Sequence, residues 1–138
     1  MACNPVCRPF VRRALLIRVL LFLSIAPISA WGAPSDNAVA GRWEGRSPDP
    51  IGRTEQVELR FTTADSGLTG VLHVADRDIA LENVRLEGRN LLFDATRQTG
   101  GRRIAYHYEG SLSGDTLDFT AQNSDGSSFF RFTVHRVQ

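Results

Sequence analysis

"TEQVELRFTT", Thr54 to Thr63, decides the fold class, because Val57, Leu59 and Phe61 fall on one parity while Glu58, Arg60 and Thr62 fall on the other. Successive side chains of an extended chain point to opposite faces, so this stretch reads as a strand with one apolar and one wet side. The same period continues in both directions. Leu68, Gly70, Leu72 and Val74 share a face in "GLTGVLHVA". "DIALENVRLE" supplies Ile79 and Leu81, then Val84 and Leu86 across an expected bulge. Leu91, Phe93 and Ala95 follow, then Ile104, Tyr106 and Tyr108, then Leu117, Phe119 and Ala121, and finally Phe130, Phe132 and Val134. With the segment around Trp43 the pattern gives about eight strands.

Short turn-like stretches punctuate them: "ADSG", "ADRD", "EGRN", "RQTGG", "SGD" and "NSDGS". No gap is long enough for a crossover helix, so neighbours are expected to pair antiparallel. "EGRNLLF" (Glu87 to Phe93) recurs 26 residues later as "SGDTLDF" (Ser113 to Phe119), a glycine turn followed by Leu, one residue and Phe. Many short strands joined by hairpins leave exposed edges, which closure removes. The fold class is therefore an all-β, antiparallel up-and-down meander closed into a small barrel, with a two-sheet sandwich as the alternative.

The first thirty residues stand outside that pattern. Arg8, Arg12, Arg13 and Arg18 precede a short apolar run, "VLLFLSIA", and a small residue at Ala30, the three parts of an export signal. That run is well short of the roughly 20 residues a membrane span needs. The expected division is a signal peptide over 1–30, a polar linker over 31–39 and a barrel domain over 40–138, with export to the periplasm or the medium. Both cysteines, Cys3 and Cys7, lie in the leader, so the exported chain is expected to rely on burial and backbone pairing rather than a disulfide. Its 108 residues from Trp31 suffice for one domain.

Removing the leader leaves twelve arginines, no lysine and fifteen acidic residues, a net charge of −3. That balance argues against phosphate backbones as partners, although "GGRRIAYHYEG" interleaves arginine with aromatics. No nucleic acid and no membrane span are expected, and the chain reads as a monomer.

"AGRWEGR" (Ala40 to Arg46) carries a Gly-x-Trp at Gly41-Arg42-Trp43, and Arg136 in the last strand shares the parity of Phe132 and Val134. In these features the chain resembles the lipocalin-like, or calycin-type, small barrels, and more weakly the periplasmic protease-inhibitor barrels. The resemblance implies that Arg136 packs over Trp43 at a closed end, making Gly41, Trp43 and Arg136 a structural plug. The chain departs from true lipocalins in its shorter loops and in lacking a helix after the last strand.

Chemistry-bearing constellations are sparse. His73, His107 and His135 fall on the wet parity of different strands, which does not suit a shared metal site. Asp76, Asp78 and Glu82 cluster without the glycine and spacing of a calcium loop. No serine stands in a nucleophile elbow. No catalytic residue, metal or cofactor is assigned, and the expectation is a non-enzymatic binding or structural protein. Two classes remain. In the favoured one the interior is packed, and the loops or the N-terminal segment bind another envelope or secreted protein, a protease inhibitor being one form. In the other, a small apolar ligand lies inside, lined by Trp43, Phe61, Phe93, Tyr106, Tyr108 and Phe119.

Overall fold

A computed structural model describes residues 35–138; the expected signal peptide, and the linker up to residue 34, lie outside them. Nine strands follow a short 3-10 helix, Asp36–Ala38: β1 (Gly41–Pro48), β2 (Thr54–Ala64), β3 (Gly67–Val74), β4 (Arg77–Ala80), β5 (Glu82–Glu87), β6 (Asn90–Thr99), β7 (Arg102–Ser113), β8 (Thr116–Asn123) and β9 (Phe129–Arg136). They form one antiparallel sheet in the order β4-β3-β2-β1-β9-β8-β7-β6-β5, a nearly closed up-and-down barrel. The all-β meander is as expected, and no α-helix occurs among the described residues.

The strand count is nine rather than eight because residues 77–87, expected as one bulged strand, divide at Leu81. β4 pairs with β3, and the Leu81 amide donates to the Gly70 carbonyl at 3.0 Å. β5 then pairs with β6 instead, through a bulge between Glu82 and Arg85. Asn83 takes the left-handed conformation there (φ 52°), and its side-chain amide donates to Asp94 at 2.8 Å. An asparagine tolerates that backbone state better than most residues and anchors it through its short polar side chain. One run of sequence thus supplies both edges of the sheet.

The inward parity fills the barrel. Val57, Leu59, Phe61, Leu72, Leu91, Phe93, Tyr106, Tyr108, Leu117, Phe119 and Val134 are all buried in one core. Ring contacts knit it together: Phe93 stacks on Tyr108 with centroids 4.8 Å apart, meets Phe119 edge-on at 5.5 Å and lies 6.0 Å from Phe61. Gly110 makes room for this arrangement, because a methyl group at its position would overlap the Phe119 ring.

Strand direction sorts the connections into two ends. The N-terminal segment, the turns at 65–66, 88–89 and 114–115, and the C-terminus gather at one end. The loop 49–53, the turns 75–76 and 100–101, and the loop 124–128 gather at the other.

Candidate functional site

The first end is sealed. Trp43 and Arg136 are register partners across β1 and β9, and the Arg136 guanidinium carbon lies 4.3 Å from the centroid of the Trp43 ring. Trp43 is fully buried, and its indole N–H donates to the Val39 carbonyl at 2.9 Å. Arg136 donates through Nη1 to the Ala40 carbonyl at 2.8 Å and through Nη2 to the Ala38 carbonyl at 2.5 Å, while Nε meets Asp115 at 3.0 Å. A fixed fork of five donors suits this task, satisfying carbonyls that the sheet leaves open while the cation sits over an aromatic face. Gly41 permits the approach: its φ of 122° is open to few other residues, and a Cβ there would come within 3.2 Å of Arg136 Nη1. The structure therefore brings Gly41, Trp43 and Arg136 together. The end of the expected linker belongs to the same assembly, since Asp36–Ala38 form the 3-10 turn and Val39 is fully buried.

The six aromatics considered as ligand lining, Trp43, Phe61, Phe93, Tyr106, Tyr108 and Phe119, are all buried, five of them packed ring to ring and Trp43 beneath Arg136. Phe119 also borders a cleft of about 500 Å³, together with Ser111, Asp118, Arg131 and Phe132. None of the six lines either of two clefts, of about 310 and 300 Å³, that open toward the loop end.

Those clefts surround residues to which the sequence analysis gave no role. Arg97 lies in β6 at the parity of Phe93 and Ala95, is only 5% exposed, and forms an ion pair with Glu55 from the top of β2. Both charges point inward on the apolar parity, and that misfit is the sequence signal that could have found them. Nearby, the Tyr106 hydroxyl is buried without a hydrogen-bond partner. Burial pushes the Tyr108 phenol up to about 12, although the charge of neighbouring Arg97 and a hydrogen bond with it pull the other way.

The histidines lie outside. His73 Nδ1 pairs with Asp78 at 2.6 Å, His107 Nδ1 with Asp94 at 2.7 Å, and His135 Nδ1 lies 3.3 Å from Thr116 Oγ1. Burial tends to raise the Asp94 carboxyl, but hydrogen bonds from Asn83 and His107 hold it below its ordinary value. Of the acidic cluster, Asp76 occupies the 75–76 turn with φ 57°, Asp78 faces His73, and Glu82 opens β5. No group of three or more metal-ligating side chains occurs among the described residues, and none of their helices is long and apolar enough to cross a membrane. No family model matches the chain, and no curated protein or solved structure is significantly similar to it.

Proposed function

We propose that this chain is a non-enzymatic, exported binding protein of the lipocalin-like kind that engages another envelope or secreted protein at the loop end of its barrel. The single observation that carries the reading is the contrast between the two ends. One is closed by Trp43, Val39 and Arg136, with every guanidinium nitrogen committed. The other presents clefts bordered by Asp49, Arg77, Arg97, Gln98 and Arg103. A core packed ring against ring has little room for an apolar guest, so recognition falls to the surface. Kinship with the lipocalin-like barrels rests on Gly41-Arg42-Trp43 and Arg136, and export rests on the leader pattern of residues 1–30.

Two results together test the reading. Recovery of an exported partner in pull-downs is expected to fall with Asp76→Arg or Arg103→Glu at the loop end and to persist with Asp65→Arg at the sealed end. Titration with fatty acids in the micromolar range is expected to leave Trp43 fluorescence unchanged. Quenching by lipid, without a protein partner, would favour interior carriage instead. Mass spectrometry of the exported protein is expected to find Trp31 at the N-terminus.

A further inference from the structure

Charge is distributed unevenly around the loop end. The clefts beside β4 and β6 are balanced, with Arg97 paired to Glu55, Arg77 bonded to Gln98 and Asp78 bonded to His73. The other half of that rim, residues 46–53, 102–104 and 121–131, carries five arginines against two carboxylates. Neither carboxylate answers them. Asp49 Oδ1 accepts from the amides of Ile51 and Arg53 at 2.9 and 2.7 Å, and Asp125 Oδ1 accepts from the Ser127 amide at 2.8 Å. Arg46, Arg53, Arg102, Arg103 and Arg131 are all exposed. None of their guanidinium groups has an ion pair or hydrogen bond among the described residues, whereas Arg42, Arg60, Arg85 and Arg136, away from the loop end, each pair with a carboxylate.

The pairing of β1 with β9 and of β9 with β8 makes this half continuous. Arg46 pairs with Thr133, and Arg131 and Phe129 follow on the same outward parity toward the rim. Phe129 pairs with Gln122 of β8, and the Arg131 guanidinium carbon lies 5.3 Å from the Phe129 ring centroid. The Ser124 amide donates to the Ala105 carbonyl, which brings the 124–128 loop beside the start of β7 and its arginines. Of the three large apolar side chains that stand exposed among the described residues, Ile51 and Phe129 belong to this half. Single exposed apolar residues are ordinary, but two of them among five unneutralised cations form a mixed apolar and cationic surface.

We infer that this half of the rim docks an acidic segment of the partner protein, with carboxylates against Arg46, Arg53, Arg103 and Arg131 and an apolar side chain against Ile51 and Phe129. Guanidinium forks match carboxylates edge to edge, and their stems cover apolar surface beside the ring. A polypeptide suits this end better than an anionic lipid leaflet does. Asp76 and Asp125 stand exposed in turns of the same end, and a flat anionic surface would meet them together with the arginines, whereas a shaped partner places its acids against the arginines alone. The cleft half, with Asp76 at its rim, takes another part of the same partner. Acidic docking rests on the reading of the loop end as the face that binds a protein.

The experiment is amide NMR of the labelled exported protein titrated with three peptides: acetyl-Glu-Asp-Leu-Glu-Asp-Phe-Glu-amide, its Gln/Asn counterpart, and a counterpart with Lys at every acidic position. The acidic peptide is expected to shift the amides of Arg46, Arg53, Phe129 and Arg131, and the neutral one to bind at least about tenfold more weakly. Arg46→Glu/Arg131→Glu breaks no ion pair among the described residues. The double variant is expected to stay folded, to lose the acidic peptide and to bind the Lys peptide, which the native chain does not. Phosphatidylglycerol vesicles are expected to leave the protein in the supernatant on sedimentation. A neutral peptide that binds equally well at the loop end would overturn the acidic segment while leaving that end as the protein-binding face; shifts confined to the sealed end would overturn both. Acidic docking is likewise overturned if no peptide shifts this half of the rim, if the charge-reversed variant binds as the native chain does, or if vesicles carry the protein down while the acidic peptide leaves it unshifted.

Discussion

Trp43 and Arg136 face each other across the β1–β9 pairing, with the guanidinium carbon 4.3 Å above the indole ring. This contact joins the first strand of the barrel to the last at the point where the chain enters and leaves it. Arg136→Lys keeps a cation but loses the bonds to Ala38, Ala40 and Asp115 together. It is expected to lower unfolding free energy, and a double-mutant cycle with Trp43→Phe should give a coupling of roughly 0.5–2 kcal/mol. Additivity of the two changes in denaturant unfolding would separate their roles.

Phe93 and Phe119 test the packed interior. Both are buried and in ring contact with each other and with Tyr108 or Phe132. Phe93→Ala and Phe119→Ala are each expected to cost about 3–5 kcal/mol. Gly110→Ala, which adds a methyl against the Phe119 ring, is expected to cost about 1–3 kcal/mol by overpacking. Losses below about 0.5 kcal/mol at both phenylalanines, the level of exposed positions, would contradict a filled barrel.

What could be read in advance follows from what period two encodes. Alternation alone separates buried Leu91, Phe93 and Ala95 from their neighbours, and it places Phe129, which is 55% exposed, outside beside buried Phe130. It cannot show where residues 77–87 exchange one partner strand for another, because the apolar rhythm runs on through the break and only the neighbouring strands impose it. Val39 was illegible for a related reason: its neighbours are polar or small, and the segment that carries it is held by the Trp43 indole at Val39 and by Arg136, far along the chain, at Ala38. Arg97 and Glu55 were legible as exceptions, charges on an inward parity, but their pairing across β2 and β6 comes only with the curling of the sheet into a nearly closed barrel.

Alkali probes the buried phenol beside Arg97. Tyr108 stays neutral up to about 12 in the folded chain, whereas a phenol in the unfolded chain ionises near 10. Stability is therefore fully present below about pH 10 and falls as pH rises from there toward 12, by roughly 3 kcal/mol in all for this group. Tyr108→Phe is expected to remove that share of the slope, and absorbance of tyrosinate near 295 nm should show one phenol ionising only with unfolding. A Tyr108 that titrates freely in the folded protein would contradict its burial.

Acid probes the bulge. Hydrogen bonds from Asn83 and His107 hold the Asp94 carboxyl below its ordinary value, so its contribution is present above about pH 4 and lost as pH falls through its folded value. Asp94→Asn is expected to unfold more easily than the native chain at pH 6 and to show less further loss between pH 4 and 2. An unchanged acid profile in urea titrations would contradict a stabilising role for Asp94 at the bulge.

The most direct test of a filled barrel that recognises its partner at the loop end is site-specific photocross-linking in the exporting cell. A photoreactive phenylalanine analogue would replace Asp76 or Ser127 at the loop end, or Ser66 or Ser113 at the sealed end, all of them exposed. The account predicts one discrete adduct with an exported protein from the loop-end positions and none from the sealed end. An adduct formed only from the sealed end would contradict it.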